Sequence, residues 1–244
     1  MSNKVVLIIQ ARMSSSRLPG KSMLDLAGEP LIYRLLERVK RCKQVDDIVL
    51  AIPENTDDDI LLEEAKRTNV EVFRGSENDL VDRYYRAAKE YNADIVGRIP
   101  ADNPLSEPAE IDKIILHHKS LKTAGFSSNL AEVFNNGYPD GIGAEMIDFS
   151  LLEKVWKTEK DSFKREHVHL NFYNYDKGVE SDINKFKVTT IKCPEEYQRP
   201  DLILDVNTEE EYKFIKEIYE YFYPINPSFG IIDIIKWYDS IYTK

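Results

Sequence analysis

Cysteines and long apolar runs are both scarce in this sequence. Only two cysteines occur among 244 residues. They are Cys42 and Cys193, far apart and in no motif, so we expect reduced thiols in a cytoplasmic protein. No apolar stretch approaches the roughly 20 residues that a membrane helix needs. The apolar run at the amino terminus is also too short for a secretory signal and instead predicts a first strand. We therefore expect no membrane partner.

Positive charge is outweighed as well. The chain has 33 lysines and arginines against 43 acidic residues, giving a net charge of -10. Such a chain is not expected to bind nucleic acid non-specifically. A hydrophobic content of 42% over this length suits one large domain. We expect a single domain over residues 1–244, with a smaller irregular segment around residues 126–186.

Apolar runs alternate with amphipathic segments through the first half of the chain. The runs predict strands at Val5–Gln10, Ile48–Pro53, Val70–Phe73 and Asp94–Ile99. A helical pattern follows each strand, and Asp79 is placed to cap the third helix. This alternation predicts an α/β fold with a mostly parallel, Rossmann-like sheet flanked by helices. Ligands of such sheets bind beyond the carboxyl ends of the strands.

The second half is less regular. Its patterns predict helices at residues 149–157, 162–175, 208–222 and 231–242. They predict strands at residues 125–130, just before Met146, at 185–193 and at 202–206.

The loop after the first strand concentrates cations and small polar residues. The cations are Arg12, Arg17 and Lys21, and the small residues are Ser14, Ser15, Ser16 and Gly20. Small residues let a ligand approach the backbone N–H groups, while arginine and lysine suit phosphate oxygens. Composition alone hardly separates this reading from a solvent-exposed basic loop. The position directly after a buried strand favours a phosphate site, although the loop matches neither Walker A nor GxGxxG.

A carboxylate is predicted at the same edge of the sheet. Asp102 follows the fourth strand and precedes Pro104 by two residues. An aspartate there can cap a turn or helix, or it can bind a metal ion beside a phosphate.

Several stretches together resemble one known family, in order and over nearly the whole chain. They are IIQARMSSSRLPGK, EVFRGSENDLVDRYYRAA, RIPADNPLSEPAEID, YPDGIGAEM, REHV and LILDVNTEEEY. They resemble the cytidylyltransferases of the spore-coat-polysaccharide type and, more distantly, the CMP-Kdo and CMP-sialic acid (acylneuraminate) synthetases. The resemblance implies the nucleotide-diphospho-sugar transferase type of fold, CTP as substrate, Mg²⁺ as cofactor and a homodimer. It also implies cytidylyl transfer to an acidic or modified sugar for surface polysaccharide, giving a CMP-sugar and pyrophosphate. A phosphorylated acceptor would instead give a CDP-linked product.

The resemblance assigns roles to individual residues. It implies that the nucleotide contacts Gln10, Ala11, Arg12, Ser14, Ser15, Arg17, Gly20, Lys21, Arg74, Ser76 and Asp102. Arg12, Lys21 and Asp102 would carry catalysis. The acceptor would contact Asn129, Asp140, Glu145, Arg165, Glu166 and His167, in the irregular segment where the dimer contact is also expected. Ordinary structural roles compete, because Asp140-Gly141 is common turn chemistry and Arg165-Glu166 could be a solvated pair.

The second metal ligand is open. Asp102 matches the family's metal-binding D-x-P aspartate, and Asp205 is the expected partner. The family often has an aspartate directly before the threonine of its late motif, where this chain has Asn207. That departure is the one feature favouring a non-catalytic nucleotide-binding protein. A glycosyltransferase is disfavoured, since A-D-N-P occupies the usual place of a D-x-D.

Overall fold

The computed structural model describes residues 3–15, 17–130, 133–181 and 186–242. The strands are β1 (Val5–Gln10), β2 (Asp25–Leu26), β3 (Glu29–Pro30), β4 (Asp47–Pro53), β5 (Glu71–Gly75), β6 (Ile95–Pro100), β7 (Gly125–Ser128), β8 (Glu145–Asp148), β9 (Tyr173–Asn174), β10 (Val179–Glu180) and β11 (Lys187–Thr189). Seven of them form one sheet in the order β11-β7-β8-β6-β1-β4-β5. Only β8 runs antiparallel to its neighbours within this sheet. The remaining strands form two small hairpins, β2-β3 and β9-β10.

Helices cover both faces of the sheet. They are α1 (Leu31–Val39), α2 (Ile60–Thr68), α3 (Leu80–Glu90), α4 (Pro108–Lys119), α5 (Phe149–Thr158), α6 (Ser162–Glu166), α7 (Glu209–Phe222) and α8 (Ile231–Tyr242). Within the described ranges, none of these helices has the length and apolarity needed to cross a bilayer. The predicted cap is present, because the Asp79 carboxylate accepts a hydrogen bond from the Asp82 N–H at 2.9 Å.

The central strand shows why this sequence forms a two-faced sheet. Val6 and Ile8 of β1 pack into an apolar cluster with α3 and α5. Leu7 and Ile9 point to the opposite face and pack with α1, α2 and α4. The side chains on both faces of β1 are therefore buried, as expected for a parallel strand covered on both sides. The mostly parallel Rossmann-like sheet predicted from the sequence is confirmed. A third apolar cluster lies under α7 and α8.

The sheet order fixes where a ligand can bind. β1 lies between β4 and β6, and Gln10 at its end is in register with Ala51 and Pro100. The loops that follow β1 and β6 therefore leave the sheet side by side. This edge carries the basic loop and Asp102.

Two predicted elements are wrong. The helix predicted over residues 162–175 ends at Glu166, and His167 has the non-helical angles φ -108 and ψ 80. A 3-10 turn and β9 follow, and they bury Phe172 and Tyr173 in succession against the core. The strand predicted over residues 202–206 is an extended segment with one isolated bridge, between Asp140 and Ile203. Its alternate apolar residues pack against α7 and α8 instead of extending the sheet.

A buried ion pair joins β6 to β8. Arg98 and Glu145 are register partners, with Nη1 2.7 Å from Oε2. Their side chains are 8% and 0% exposed. The second Glu145 oxygen accepts a hydrogen bond from the Tyr175 hydroxyl at 2.8 Å. The carboxylate is thus fully engaged inside the protein.

We expect Glu145→Gln to lower the free energy of unfolding by about 3 kcal/mol, because it leaves the Arg98 charge buried without a counter-charge. Urea denaturation would measure the change. Lys213→Ala is the control, since Lys213 belongs to an exposed pair with Glu209 and should matter little. Equal stability of the two variants would contradict this role for the pair.

Candidate active site

A cavity of about 400 Å³ opens at the carboxyl edge of the sheet. It is lined by Gln10, Ala11, Arg12, Ser15, Arg17, Lys21, Ser22, Leu80, Arg83, Pro100, Ala101, Asp102, Glu166 and His167. These residues come from the end of β1 and its loop, the start of α3, the end of β6 and the end of α6. Its volume lies within the usual range for small-ligand pockets.

The basic loop is anchored at both ends. The Gly20 N–H donates to the Met13 carbonyl at 3.0 Å, with Gly20 in the left-handed region at φ +71. The Met13 N–H donates to a carboxylate oxygen of Asp58 at 2.7 Å. Ser14 points away from the cavity, because its hydroxyl donates to Glu77 at 2.5 Å. Ser16 lies outside the described residues.

Lys21 joins three separate parts of the chain. Its Nζ lies 2.6 Å from the Asp102 carboxylate and 2.9 Å from the Val206 carbonyl. The Val206 N–H donates in turn to the Asp102 carbonyl at 2.8 Å. The loop after β1, the end of β6 and the segment before α7 are thereby held together. Asp102 and residues 205–207 are adjacent, as expected, although the latter are not in a strand.

Arg17, another cation of the basic loop, contacts Asn207. The Arg17 Nη2 donates to the Asn207 Oδ1 at 2.6 Å. The Asn207 side-chain amide donates to the Asp205 carboxylate. The Glu211 carboxylate accepts hydrogen bonds from the backbone N–H groups of Asn207 and Thr208, at 2.6 and 2.8 Å. The segment carrying Asp205 and Asn207 is therefore fixed to the start of α7.

Acidic charge accumulates at Asp205. Burial, and then the charges of Asp140 and Asp102, raise the pKa of Asp205 to about 7. Asp140 lies close to the segment that carries Asp205, because the next residue, Gly141, lets the two backbones approach. Gly141 has φ +82, and a Cβ added to it would lie only 2.6 Å from the Leu204 carbonyl carbon. Asp140 thus belongs with the acidic group.

This acidic group fits a magnesium ion. A divalent cation between Asp102 and Asp205 would offset the charge that makes ionisation of Asp205 unfavourable. In the described part of the chain, no three His, Cys, Asp or Glu residues group into a complete protein-only metal site. Mg²⁺ does not need one, since it usually takes one or two carboxylates and completes its shell with water and phosphate oxygens.

Two of the predicted acceptor residues line the cavity. Glu166 and His167 line the cavity, and a Glu166 oxygen lies 3.4 Å from the Arg12 Nη2. Arg165 points elsewhere, because its Nε and Nη2 both reach the Asp79 carboxylate at 2.8 Å. It supports the turn before α3 and does not line the cavity.

Two other predicted acceptor residues are fully buried, and acceptor contacts for them stay a prediction. Asn129 and Glu145 are both 0% exposed. The Asn129 amide accepts from the Ala144 N–H at 2.9 Å and donates to the Glu110 carbonyl at 3.0 Å. Glu145 is held in its ion pair with Arg98. Both side chains are occupied in the interior, so a ligand could reach them only by breaking these contacts.

The RGS stretch does not line the cavity through its polar side chains. Arg74 donates to the carbonyls of Pro53 and Asn55, at 3.1 and 2.6 Å, and pairs with Asp59 at 2.6 Å. The Ser76 hydroxyl accepts from the Asp79 N–H at 3.0 Å. A nucleoside contact for Arg74 and Ser76 stays a prediction.

The structure adds lining residues that the sequence patterns missed: Ser22, Leu80, Arg83, Pro100 and Ala101. Leu80 and Arg83 are three residues apart at the start of a capped helix, so an arginine on the apolar face was a usable signal. Gln10 was predicted, and its Oε1 is buried without a hydrogen-bond partner among the described residues.

Comparisons with known proteins agree with this geometry. An uncharacterized protein of Methanocaldococcus jannaschii is 36% identical over 91% of this chain and 86% of its own. The spore coat polysaccharide biosynthesis protein SpsF of Bacillus subtilis is 30% identical over 89% of this chain and 87% of its own. A solved cytidylyltransferase from Leptospira borgpetersenii superposes with a TM-score of 0.86 at 33% identity, covering 98% of this chain and 94% of that one.

The profile of one family spans the strands, the basic loop and the acidic segment together. That family is described as cytidylyltransferase, and the match covers residues 6–223. The chain therefore belongs to the cytidylyltransferase family.

Proposed function

We propose that this protein is a cytoplasmic, Mg²⁺-dependent enzyme that transfers the cytidylyl group of CTP to a sugar-like acceptor. The observation that carries the proposal is the convergence of Arg12, Arg17 and Lys21 with Asp102 in one cavity. Three cations suit a triphosphate, while a carboxylate beside them suits a metal ion. The polysaccharide-related name of the Bacillus subtilis relative supports a sugar-like acceptor.

The reaction is an in-line substitution at phosphorus. An oxygen of the acceptor forms a bond to the α-phosphorus, and the bond from that phosphorus to the bridging oxygen breaks. Pyrophosphate leaves with the electron pair, and a hydroxyl acceptor also gives up its proton. Lys21 and Arg17 both contact residues 206–207, where they would stabilise charge on the leaving group. Arg12 lies near Glu166, where it would orient the reacting groups.

Asp102 and Asp205 would hold the magnesium ion. When bound there, Mg²⁺ would supply positive charge to the triphosphate. Asn207 contributes a neutral amide that orients the Asp205 carboxylate.

The acceptor side of the cavity is proposed at Glu166 and His167, which face the loop cations. We expect the acceptor to be an acidic or modified sugar, giving a CMP-sugar. A phosphorylated acceptor, giving a CDP-linked product, is distinguished by the mass of the product. A homodimer stays a prediction.

We expect CTP, and not UTP or ATP, to support pyrophosphate release. The assay is a screen of each nucleotide against acidic sugars and sugar phosphates with Mg²⁺ present. Pyrophosphate released only with CTP, and only with an acceptor, is the expected result. Equal turnover of UTP or ATP with the same acceptor would sink the cytidylyl assignment.

We expect Lys21→Ala to lower kcat by roughly 10²–10³, because a preorganised charge beside the leaving group is lost. Steady-state kinetics with the acceptor found in the screen would measure it. Lys216→Ala is the matched control, since Lys216 forms a 2.8 Å ion pair with Asp25 and does not line the cavity. Near-normal turnover of Lys21→Ala would contradict a role for this loop in stabilising the leaving group.

Three variants test the metal assignment by their dependence on Mg²⁺ concentration. We expect Asp102→Asn to be nearly inactive, and Asp205→Asn to be impaired but partly restored at high Mg²⁺. Asn207→Ala should be the mildest, because it removes no charge. If Asn207→Ala were the most damaged and Asp205→Asn behaved like wild type, Asn207 would be the ligand.

A further inference from the structure

The first turn of α3 brings an arginine to the cavity. Leu80 and Arg83 are three residues apart, so they share one face of the helix, and both line the cavity. The start of the helix is fixed by the Asp79 cap. Arg83 is therefore placed by a rigid element and not by the basic loop.

Arg83 is buried, and two of its side-chain donors make no hydrogen bond to the described residues. Only 1% of the residue is exposed. Its Nε and Nη1 are both shielded from water and have no hydrogen-bond partner in the described part of the chain. A buried charged donor that makes no hydrogen bond destabilises a fold, so such an arrangement calls for a reason.

Two other buried arginines of this protein have their donors hydrogen-bonded inside the fold. Arg34 and Arg38 are each 2% exposed. Arg34 donates from Nε to the Leu26 carbonyl at 2.9 Å and from Nη2 to the Ala27 carbonyl at 2.6 Å. Arg38 donates to two backbone carbonyls at 3.0 Å. The fold satisfies these two guanidinium groups internally, whereas Arg83, which lines the cavity, has two donors without a partner among the described residues.

The charges around Arg83 do not satisfy it. Asp58 and Glu77 lie near enough to favour its charge, but neither forms an ion pair with it among the described contacts. An Asp58 oxygen accepts from a backbone N–H at 2.7 Å, and a Glu77 oxygen accepts from a serine hydroxyl at 2.5 Å. Burial, and then repulsion from Arg12, lower the pKa of Arg83 to about 10. Arg83 still carries its charge at neutral pH.

The glycine of the RGS stretch gives this arginine room. A Cβ added to Gly75 would lie 3.1 Å from the Cγ of Arg83 and 2.9 Å from a ring carbon of Phe73. The end of β5 therefore packs directly against the arginine stem.

We propose that Arg83 binds an anionic oxygen of a bound substrate, beside Arg12 in the cavity. The inference rests on the proposed function and adds a fourth cation to its site. Guanidinium donors suit phosphate and carboxylate oxygens equally. The oxyanion therefore has two possible sources: a phosphate of the nucleotide, or the acid group of the acceptor.

The test compares ligand affinity with the stability of the ligand-free protein. Arg83→Met keeps an unbranched side chain and removes the charge, so the unfolding temperature should hold or rise. Affinity for the oxyanion should fall about 10- to 100-fold, as expected for lost charge-assisted hydrogen bonds. Arg83→Lys should lie between Arg83→Met and wild type. Arg34→Met is the matched control and should do the reverse, unfolding at a lower temperature with unchanged affinity.

Calorimetry would measure the binding of five probes: CTP, CMP, cytidine, D-glucuronate and glucose 1-phosphate. The two sugars would be measured in the presence of saturating CTP. Weaker binding of CTP and CMP with unchanged cytidine assigns the oxyanion to the nucleotide. Unchanged nucleotides with weaker binding of an anionic sugar assign it to the acceptor. Equal affinities of wild type and Arg83→Met for every probe would overturn the proposal. So would a loss of stability as large as that of Arg34→Met without any loss of affinity.

Failure of the proposed function gives a different result. Wild-type protein that binds UTP or ATP in preference to CTP would contradict cytidylyl transfer. The Arg83 comparison would then be made on the nucleotide that binds.

Discussion

The site depends on one ammonium group. Lys21 contacts the Asp102 carboxylate and the Val206 carbonyl, residues that lie 81 and 185 positions away in the sequence. The sheet alone brings together only the loops after β1 and β6. The segment before α7 lies outside the sheet and reaches the site through this contact and through the hydrogen bond from Val206 to Asp102. One ammonium balances only one carboxylate, and burial, followed by the charges of Asp140 and Asp102, raises the pKa of the neighbouring Asp205.

The parts of the fold that could be predicted are those set by local periodicity. The bounds of β1 and α8 agree with the sequence patterns residue for residue, because the apolar run of β1 is continuous and the apolar residues of α8 recur at helical spacing. The segment 202–206 misled because alternating burial is shared by strands and by extended chain lying on helices. The stretch after Glu166 misled because its helical pattern continues where the chain actually turns into the core.

The residues of the candidate site likewise differ in whether the sequence could predict their place. Arg12 and Asp102 could be located because each lies just after a strand end, and topology brings those ends together; Lys21 could be located because it belongs to the same loop as Arg12. The burial of Asn129 and Glu145 could not be predicted, because nothing in a sequence reports that a polar side chain is already paired in the interior. Arg83 is the opposite case, since its chemistry is hidden on the apolar face of a helix. Its place on that face is visible in the sequence, but the lack of partners for its Nε and Nη1 among the described residues is visible only in the structure.

The hydrogen bond that closes the basic loop has a consequence for how the length of this loop can change. The hydrogen bond from Gly20 to Met13 joins the two ends of the loop to each other. The entropy of closing a loop grows only slowly with its length. Residues could therefore be added or removed between these anchors at little thermodynamic penalty, altering the reach of Arg17 while leaving Arg12 and Lys21 in place. The length of this loop is thus thermodynamically uncoupled from the strands that position Arg12 and Asp102.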